Sequence, residues 1–281
     1  MKLITYVYNS QEQIGSVVGD MIYPIEGFSS MNELIESGTD IASLSLSPRI
    51  LPYSAVTKKA PIPVPRQDVL CLGVNYMDHA WESAKYKKED FHGDRPYPVY
   101  FCRRVNEITP DGGEIDGHFD IQERLDYEVE LAVIIGKTAK NVSPEEAYDY
   151  VFGYSILNDV SSRDLQTRHK QFYFGKSLDT FTCMGPWIVT PDEVPFPTVM
   201  PISSRVNGEL RQNSSTGNLI FDIPYIISDL SAGMTLKPGT IIATGTPSGV
   251  GMGFNPPKWM KSGDTVDCVI EGIGTLHNVV K

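Results

Sequence analysis

Leu125-Asp-Tyr-Glu-Val-Glu-Leu-Ala-Val-Ile-Ile-Gly136 is the stretch on which the fold turns. Residues i and i+2 of an extended strand face the same side, so Glu128 and Glu130 point together while Tyr127, Val129, Leu131, Val133 and Ile135 face the other way. Their backbone anchors lie roughly 7 Å apart, and at an effective dielectric of about 20 two such carboxylates repel by about 2 kcal/mol. A cation between them relieves that repulsion. All-carboxylate ligation suits a hard divalent ion, Mg²⁺ or Mn²⁺, and leaves coordination positions for water and substrate. The doublet by itself fits equally well on the solvated face of an antiparallel strand. Two features favour the cation. Beyond Glu130 the run is apolar on both faces, as in an interior strand, and a second apolar run from Val151 ends in another acid, Asp159.

The 281 residues are enough for one large domain or for a small one joined to a larger one. With 41% hydrophobic and 21% charged residues the composition is that of a globular protein, and a net charge of −11 disfavours nucleic acid or an anionic membrane as main partner. Apolar runs are too short to cross a bilayer, and the N-terminal run turns polar at Asn9, too soon for a secretory signal. A cytoplasmic location is therefore expected. Cys71, Cys102, Cys183 and Cys268 form no C-x-x-C pair and read as buried free thiols.

Residues 1–60 read as a small β-rich accessory domain: a strand over Leu3 to Tyr8, a hairpin over Ile14 to Ile25 turning at Gly19-Asp20, and a short helix from Met31 to Ser37. The proline-rich Lys58-Lys-Ala-Pro-Ile-Pro-Val-Pro-Arg66 predicts an extended connector, and residues 66–281 form the main domain. There, strands are expected at Val69–Val74, Trp187–Val189, Ser203–Val206, Thr240–Thr244 and Thr265–Ile270. Helices are expected over 75–88, from Ser143 onward and over Pro224–Leu230. Many strands, few helices and no regular βα alternation predict an α+β chain, mainly β, of the roll or sandwich type.

Three further segments carry chemistry. If Asn75–Lys88 is helical, His79 and Glu82 share a face, and the carboxylate can hold the imidazole in one tautomer as a general base; an ordinary surface His and Glu is the plainer alternative. The charged, aromatic stretch Lys85–Pro98 that follows is suited to a lid. Behind Asp159, the residues Arg163, Arg168, Lys170 and Lys176 supply positive charge for an anionic substrate, or merely offset nearby acids. Thr240 to Gly253 runs from an apolar strand into a glycine-rich turn whose hydroxyls and N–H groups can cradle an oxyanion. Its spaced glycines are not a nucleotide loop, because Pro256-Pro257 follows where a phosphate-binding helix would begin.

Seven segments, in order, resemble the fumarylacetoacetate hydrolase superfamily: Gly73-Val-Asn-Tyr-Met-Asp-His79, Leu125-Asp-Tyr-Glu-Val-Glu-Leu131, Asn158-Asp-Val-Ser-Ser-Arg-Asp-Leu-Gln166, Gly175-Lys-Ser177, Val206-Asn-Gly-Glu-Leu-Arg-Gln212, Ile223-Pro-Tyr-Ile-Ile-Ser228 and Thr244-Gly-Thr-Pro-Ser-Gly-Val-Gly251. The resemblance spans about Asp68 to the C-terminus. It implies a mixed β-sandwich roll, assembled as a homodimer, in which Glu128, Glu130 and Asp159 ligate Mg²⁺ or Mn²⁺. It further implies that His79 and Glu82 activate water, that Lys176 stabilises developing negative charge, and that Arg163, Gln166 and Thr246 contact the substrate. Arg103, in Phe101-Cys-Arg-Arg104, stands where many relatives carry Lys, and is expected beside the substrate too. The implied activity is metal-dependent cleavage of a C–C bond, by hydrolysis or decarboxylation, in a small anionic 2-keto or 2,4-diketo acid such as an acylpyruvate or oxaloacetate. A keto–enol tautomerase or isomerase of a 2-hydroxy-dienoate diacid is the alternative; a non-catalytic metabolite-binding module is a third.

Overall fold

A computed structural model describes all of residues 1–281. The strand Val129–Ile135 is buried along its whole length, as its two-sided apolar run requires. Its odd-numbered side chains join a core with Ile202, Val206, Val266, Cys268, Ile270 and Leu276, whereas Ala132 and Ile134 join a second core with Leu3, Ile14, Leu34 and Ile188. Period-two alternation thus splits one strand between two hydrophobic layers.

The strand belongs to an eleven-stranded mixed sheet. In spatial order its main path runs Leu51–Pro52, Met21–Pro24, Gln11–Val18, Lys2–Tyr8, Thr182–Val189, Val151–Asp159, Val129–Ile135, Ile241–Ala243, Val69–Gly73 and Val99–Arg103, with Thr57–Lys58 paired to Lys2–Tyr8 off this path. A five-stranded sheet, built from Glu209–Ser215, Pro201–Val206, Thr265–Ile270, Gly274–Val280 and Glu114–Ile115, packs on one face. The result is the mixed, mainly β, α+β architecture expected.

The stretch quoted first is two strands rather than one. Leu125–Asp126 pairs with Ser161–Ser162, and the main strand begins only at Val129. Between them the backbone leaves the ladder, because the Tyr127 and Glu128 N–H groups donate to the side chains of Asp126 (3.0 Å) and Asn158 (3.0 Å). Helices form at Met31–Ser37, capped by Ser30, and at Ile223–Gly233, capped by Asp222. The segment after Ser143 is a 3₁₀ helix whose cap hydroxyl donates to Glu146 and satisfies no backbone N–H.

Residues 1–60 do not form a sheet of their own. Lys2 and Leu3 pair with Val189 and Ile188, extending the main sheet. The proline-rich connector is packed rather than free: Ala60 and Ile62 are fully buried, and the Thr5 hydroxyl donates to the Pro61 carbonyl at 2.7 Å. No helix is long and apolar enough to cross a membrane.

Candidate active site

Strand register assembles the acids. Val129 pairs with Asn158 and Glu130 with Leu157, so Glu128 falls opposite Asp159, whose N–H donates to the Glu128 carbonyl at 2.8 Å. Directly opposed residues of an antiparallel pair share a face, and Glu130 shares it by period two. One oxygen from each of Glu128, Glu130 and Asp159 lies within 4.8 Å of the others, all three residues being buried. Glu130 meets only a backbone donor, the Gly245 N–H at 2.8 Å. That residue has φ +99°, and a side chain there would strike Asn75 at 2.7 Å, so glycine brings the donor close.

Cations surround the other two acids. Lys176, at the end of the short helix Phe172–Lys176, donates to Glu128 (2.7 Å), Asp159 (2.6 Å) and the Ser161 hydroxyl (2.9 Å), which uses its three protons. Arg163 opens the helix Arg163–His169 and donates to Asp126 (2.8 Å), Glu128 (2.6 Å) and the Gln166 side-chain oxygen (3.1 Å). Burial alone would raise the Glu128 carboxyl, but Lys176, Arg163 and His79 outweigh it and hold its pKa at about 2. Burial would lower the Lys176 ammonium, yet Asp159 and Glu128 push it above the usual lysine range. Glu130 goes the opposite way from Glu128: burial first, then Asp159 and Glu128, drive its carboxyl well above the usual range.

His79 lies on the helix Met77–Lys87, which covers the acids from the side. Its Nδ1 bonds Glu82 at 2.9 Å, and its Nε2 makes no hydrogen bond. With Glu82 as acceptor, Nδ1 carries the proton and Nε2 presents its lone pair. The other Glu82 oxygen accepts the Gly249 N–H at 2.9 Å, and Ser248 donates to Asp78 at 2.7 Å, so the glycine-rich turn fastens this helix down.

A cavity with about 40 Å³ of free space collects His79, Glu128, Glu130, Arg163, Gln166, Lys176 and Thr246 on its wall, with Phe101, Phe172 and Met252 as apolar lining. Gln166 Nε2 is buried there with no partner, a donor ready for a ligand. Thr246 is already committed: its hydroxyl donates to the Val129 carbonyl (2.8 Å) and accepts from Gln212 (2.7 Å). Glu82 and Asp159 stand one hydrogen bond behind the wall. The structure places Arg103 elsewhere than the expected substrate wall. It is completely buried behind Asp159, donating to that carboxylate and to the carbonyls of Lys176 and Phe181. Lining up with neither cavity nor solvent, it braces an acid and fixes the Lys176 backbone.

Asp126 was not among the expected site residues. It is fully buried and accepts from Arg163 and from the Gly251 (2.6 Å) and Met252 (3.1 Å) N–H groups, tying that arginine to the glycine-rich turn. The spacing Asp126-x-Glu128-x-Glu130 carried the signal. Gln212, also fully buried, bridges Val129 N–H, Ser204, Thr246 and the Pro247 carbonyl; it ends the segment Val206–Gln212 quoted above, whose sequence does not single it out from its neighbours.

The donor set suits a divalent ion. Three buried carboxylates offer hard oxygens, and Glu130 is left with no cationic partner within the protein. A mainly β fold that sets a buried acidic triad beside an oriented His–Glu pair places a candidate cation site next to a candidate acid–base site, the combination of a metal-assisted enzyme. Residues 68–281 match the family model described as fumarylacetoacetate (FAA) hydrolase C-terminal, and the chain belongs to the fumarylacetoacetate hydrolase superfamily of enzymes. Oxaloacetate tautomerase YisK of Bacillus subtilis is 49% identical over 228 residues, which is 81% of this chain and 74% of that protein. Among solved structures, the fumarylacetoacetate hydrolase of Exiguobacterium antarcticum superposes with a TM-score of 0.85 at 39% identity, covering 100% of this chain and 99% of its own. The 5-carboxymethyl-2-hydroxymuconate delta-isomerase of Mycobacterium smegmatis gives 0.80 at 31%, covering 100% and 99%.

Proposed function

We propose that this chain catalyses proton transfer at the carbon next to the keto group of a small anionic 2-keto acid, interconverting keto and enol forms, with Mg²⁺ or Mn²⁺ held by Glu128, Glu130 and Asp159. The observation that carries it is the His79–Glu82 pair, with His79 on the wall of the cavity that Glu128 and Glu130 also line. The resemblance to an oxaloacetate tautomerase and to a delta-isomerase supports proton transfer over bond cleavage as the first reading.

When bound, the divalent ion supplies Lewis acidity that acidifies the C–H beside the keto group. His79 Nε2 takes that proton, and Glu82 stabilises the imidazolium through Nδ1. Gln166 Nε2 donates to a substrate oxygen, and Arg163 adds positive charge at the same wall. Phe101, Phe172 and Met252 exclude water, which strengthens every charge interaction inside. Returning the proton to oxygen rather than carbon gives the enol.

C–C cleavage is the second reading, favoured by the same imidazole, which can activate water instead of abstracting a proton. NMR in D₂O with Mg²⁺ separates them: tautomerisation exchanges the C3 protons of oxaloacetate and conserves carbon count, whereas hydrolysis of an acylpyruvate or decarboxylation of oxaloacetate changes it. Absence of Mg²⁺-stimulated exchange and of any carbon loss would overturn both readings, leaving a metabolite-binding module. A cytoplasmic homodimer is part of the proposal by analogy with the superfamily.

A further inference from the structure

Two hollows meet at one aromatic ring. The acid-lined cavity, with about 40 Å³ of free space, and a neighbouring hollow of about 190 Å³ share Val74, Ser83, Lys87 and Phe172, whereas a third hollow, behind Glu82, touches the first only at Met252. At roughly 10–15 Å³ of free space per water molecule, the first cavity holds little more than the chelating head of a 2-keto acid. The broader boundary is the way out for whatever follows the third carbon.

Of the four residues on that boundary only Phe172 carries a large apolar group, and its ring is held on several sides. It packs edge-on against Phe101 with centroids 5.2 Å apart, and the Lys87 ammonium lies 5.9 Å from its centre. Gly73 closes another side: a methyl there would meet the ring at 2.9 Å, so bare backbone lets the ring come this close. Val74, next in the chain, has φ +57°, a conformation that a β-branched residue takes only where its surroundings impose it. Phe172 also opens the short helix that ends in Lys176, and its N–H donates to the Gln171 side chain at 2.7 Å. The ring is thus anchored to the element that positions the ammonium, and it stands as a fixed wall.

We propose that Phe172 is a specificity-determining residue: its ring closes the head-group cavity towards the larger hollow and sets the length of tail that a 2-keto acid bound at the triad can carry. The proposal rests on the functional reading above for the head group alone. A short tail fits under the ring; a longer one has to displace it. A smaller side chain at this position joins the two hollows and opens Ala80, Ala84, Phe91 and Val99, apolar surface that an alkyl tail can cover.

An alkyl series tests this. 2-Oxobutanoate, 2-oxohexanoate and 2-oxooctanoate differ only in their number of methylene groups, and titration calorimetry on the Mg²⁺-loaded protein reads their dissociation constants. For wild type Kd is expected to rise about tenfold or more from the four-carbon to the eight-carbon acid, the order of discrimination that a closed apolar pocket gives against extra methylene groups. In Phe172→Ala the order should reverse, with the eight-carbon acid binding about tenfold more tightly than the four-carbon one because its tail leaves water for the joined hollow. Phe172→Leu should fall between, and it keeps the test open if the alanine variant melts too low to titrate. A wild-type series that is flat or favours the longer acid, one that both variants leave unchanged, or failure of all three acids to bind any of the proteins would overturn the wall. Mg²⁺-dependent exchange of the C3 protons of oxaloacetate, measured on the same wild-type sample, keeps the two claims apart. Exchange with a flat series removes the wall and leaves the functional reading standing, whereas a steep series without exchange removes the proton-transfer reading and leaves the wall.

Discussion

Replacing Glu130 with Gln should stabilise the metal-free protein while abolishing its response to metal. Glu130 is 1% exposed and has no cationic partner, and its two acidic neighbours offer oxygens within 4.8 Å. At an effective dielectric of about 20, each such pair repels by about 3.5 kcal/mol. The Lys176 ammonium, seated between Glu128 and Asp159, cancels roughly one of these, leaving about 3.5 kcal/mol that the ionised Glu130 costs the metal-free protein. Glutamine has the same shape, keeps an oxygen for the Gly245 N–H, and can donate its amide protons to the neighbouring carboxylates.

The pH dependence follows from the sign of the shift. Because the folded-state pKa of Glu130 is raised, the folded state prefers its protonated form. That contribution is complete below the unfolded carboxyl value near 4.5 and is lost as pH rises through the raised folded value. Wild type in EDTA should therefore lose stability relative to Glu130→Gln as pH rises above the ordinary carboxyl range and through the raised folded value. Once Glu130 is ionised the variant should melt about 7 °C higher, at roughly 2 °C per kcal/mol for a chain of this size. Mg²⁺ should raise the wild-type midpoint and leave the variant's unchanged. Calorimetric melts with and without Mg²⁺ measure both. A variant that gains nothing on wild type in EDTA as pH rises, or one that still gains from Mg²⁺, would refute the assignment of an uncompensated charge to Glu130.

Three further substitutions probe neighbouring parts. His79→Ala should reduce Mg²⁺-dependent C3 exchange by about 10²–10⁴-fold with metal affinity retained, seen by NMR and titration calorimetry. Gly253→Ala drives a methyl into the Glu82 carboxylate, the movable end of a side chain, so the fold should survive while Glu82 swings off His79. Exchange should then fall about 10–100-fold, and a Gly253→Ala/Glu82→Gln double variant should be no worse than Glu82→Gln alone. Arg103→Leu strands Asp159 as a buried, less compensated charge, and urea unfolding of the metal-free protein should register a loss of about 3–5 kcal/mol, with Arg103→Lys restoring part of it.

What could be read from the chain, and what could not, follows how far each signal reaches. Glu128, Glu130 and Asp159 were legible because period-two parity is local and the two apolar runs could pair in only a few registers. The His79–Glu82 pair was legible because helical spacing is local as well. Asp126 has the same parity as the two glutamates, yet parity cannot tell a carboxylate facing a cavity from one buried against Arg163. Arg103 was misplaced for a related reason: its type announces a partner for an acid, and only the main sheet's pairing decides that it approaches Asp159 from behind. The continuity of Lys2–Tyr8 with Thr182–Val189 had no local signature, since a pairing across most of the chain is set by shared burial of Leu3 and Ile188 in one core.

The charge of the site explains why its parts occur together. Asp126, Glu128, Glu130 and Asp159 bring four negative charges, and Arg103, Arg163 and Lys176 bring three positive ones, all within hydrogen-bonding contact of one another or of the triad. The buried residues alone therefore sum to −1, located on Glu130. A divalent ion turns the sum to +1, and a 2-keto carboxylate head group returns it to zero. Were the three cations absent, four carboxylates would hold a divalent ion so completely that a negatively charged substrate would gain nothing by joining it; were a fourth present, the ion would lose its reason to bind. Arg103 and Arg163 are thus as necessary to the proposed chemistry as the acids they touch, although neither needs to move during it.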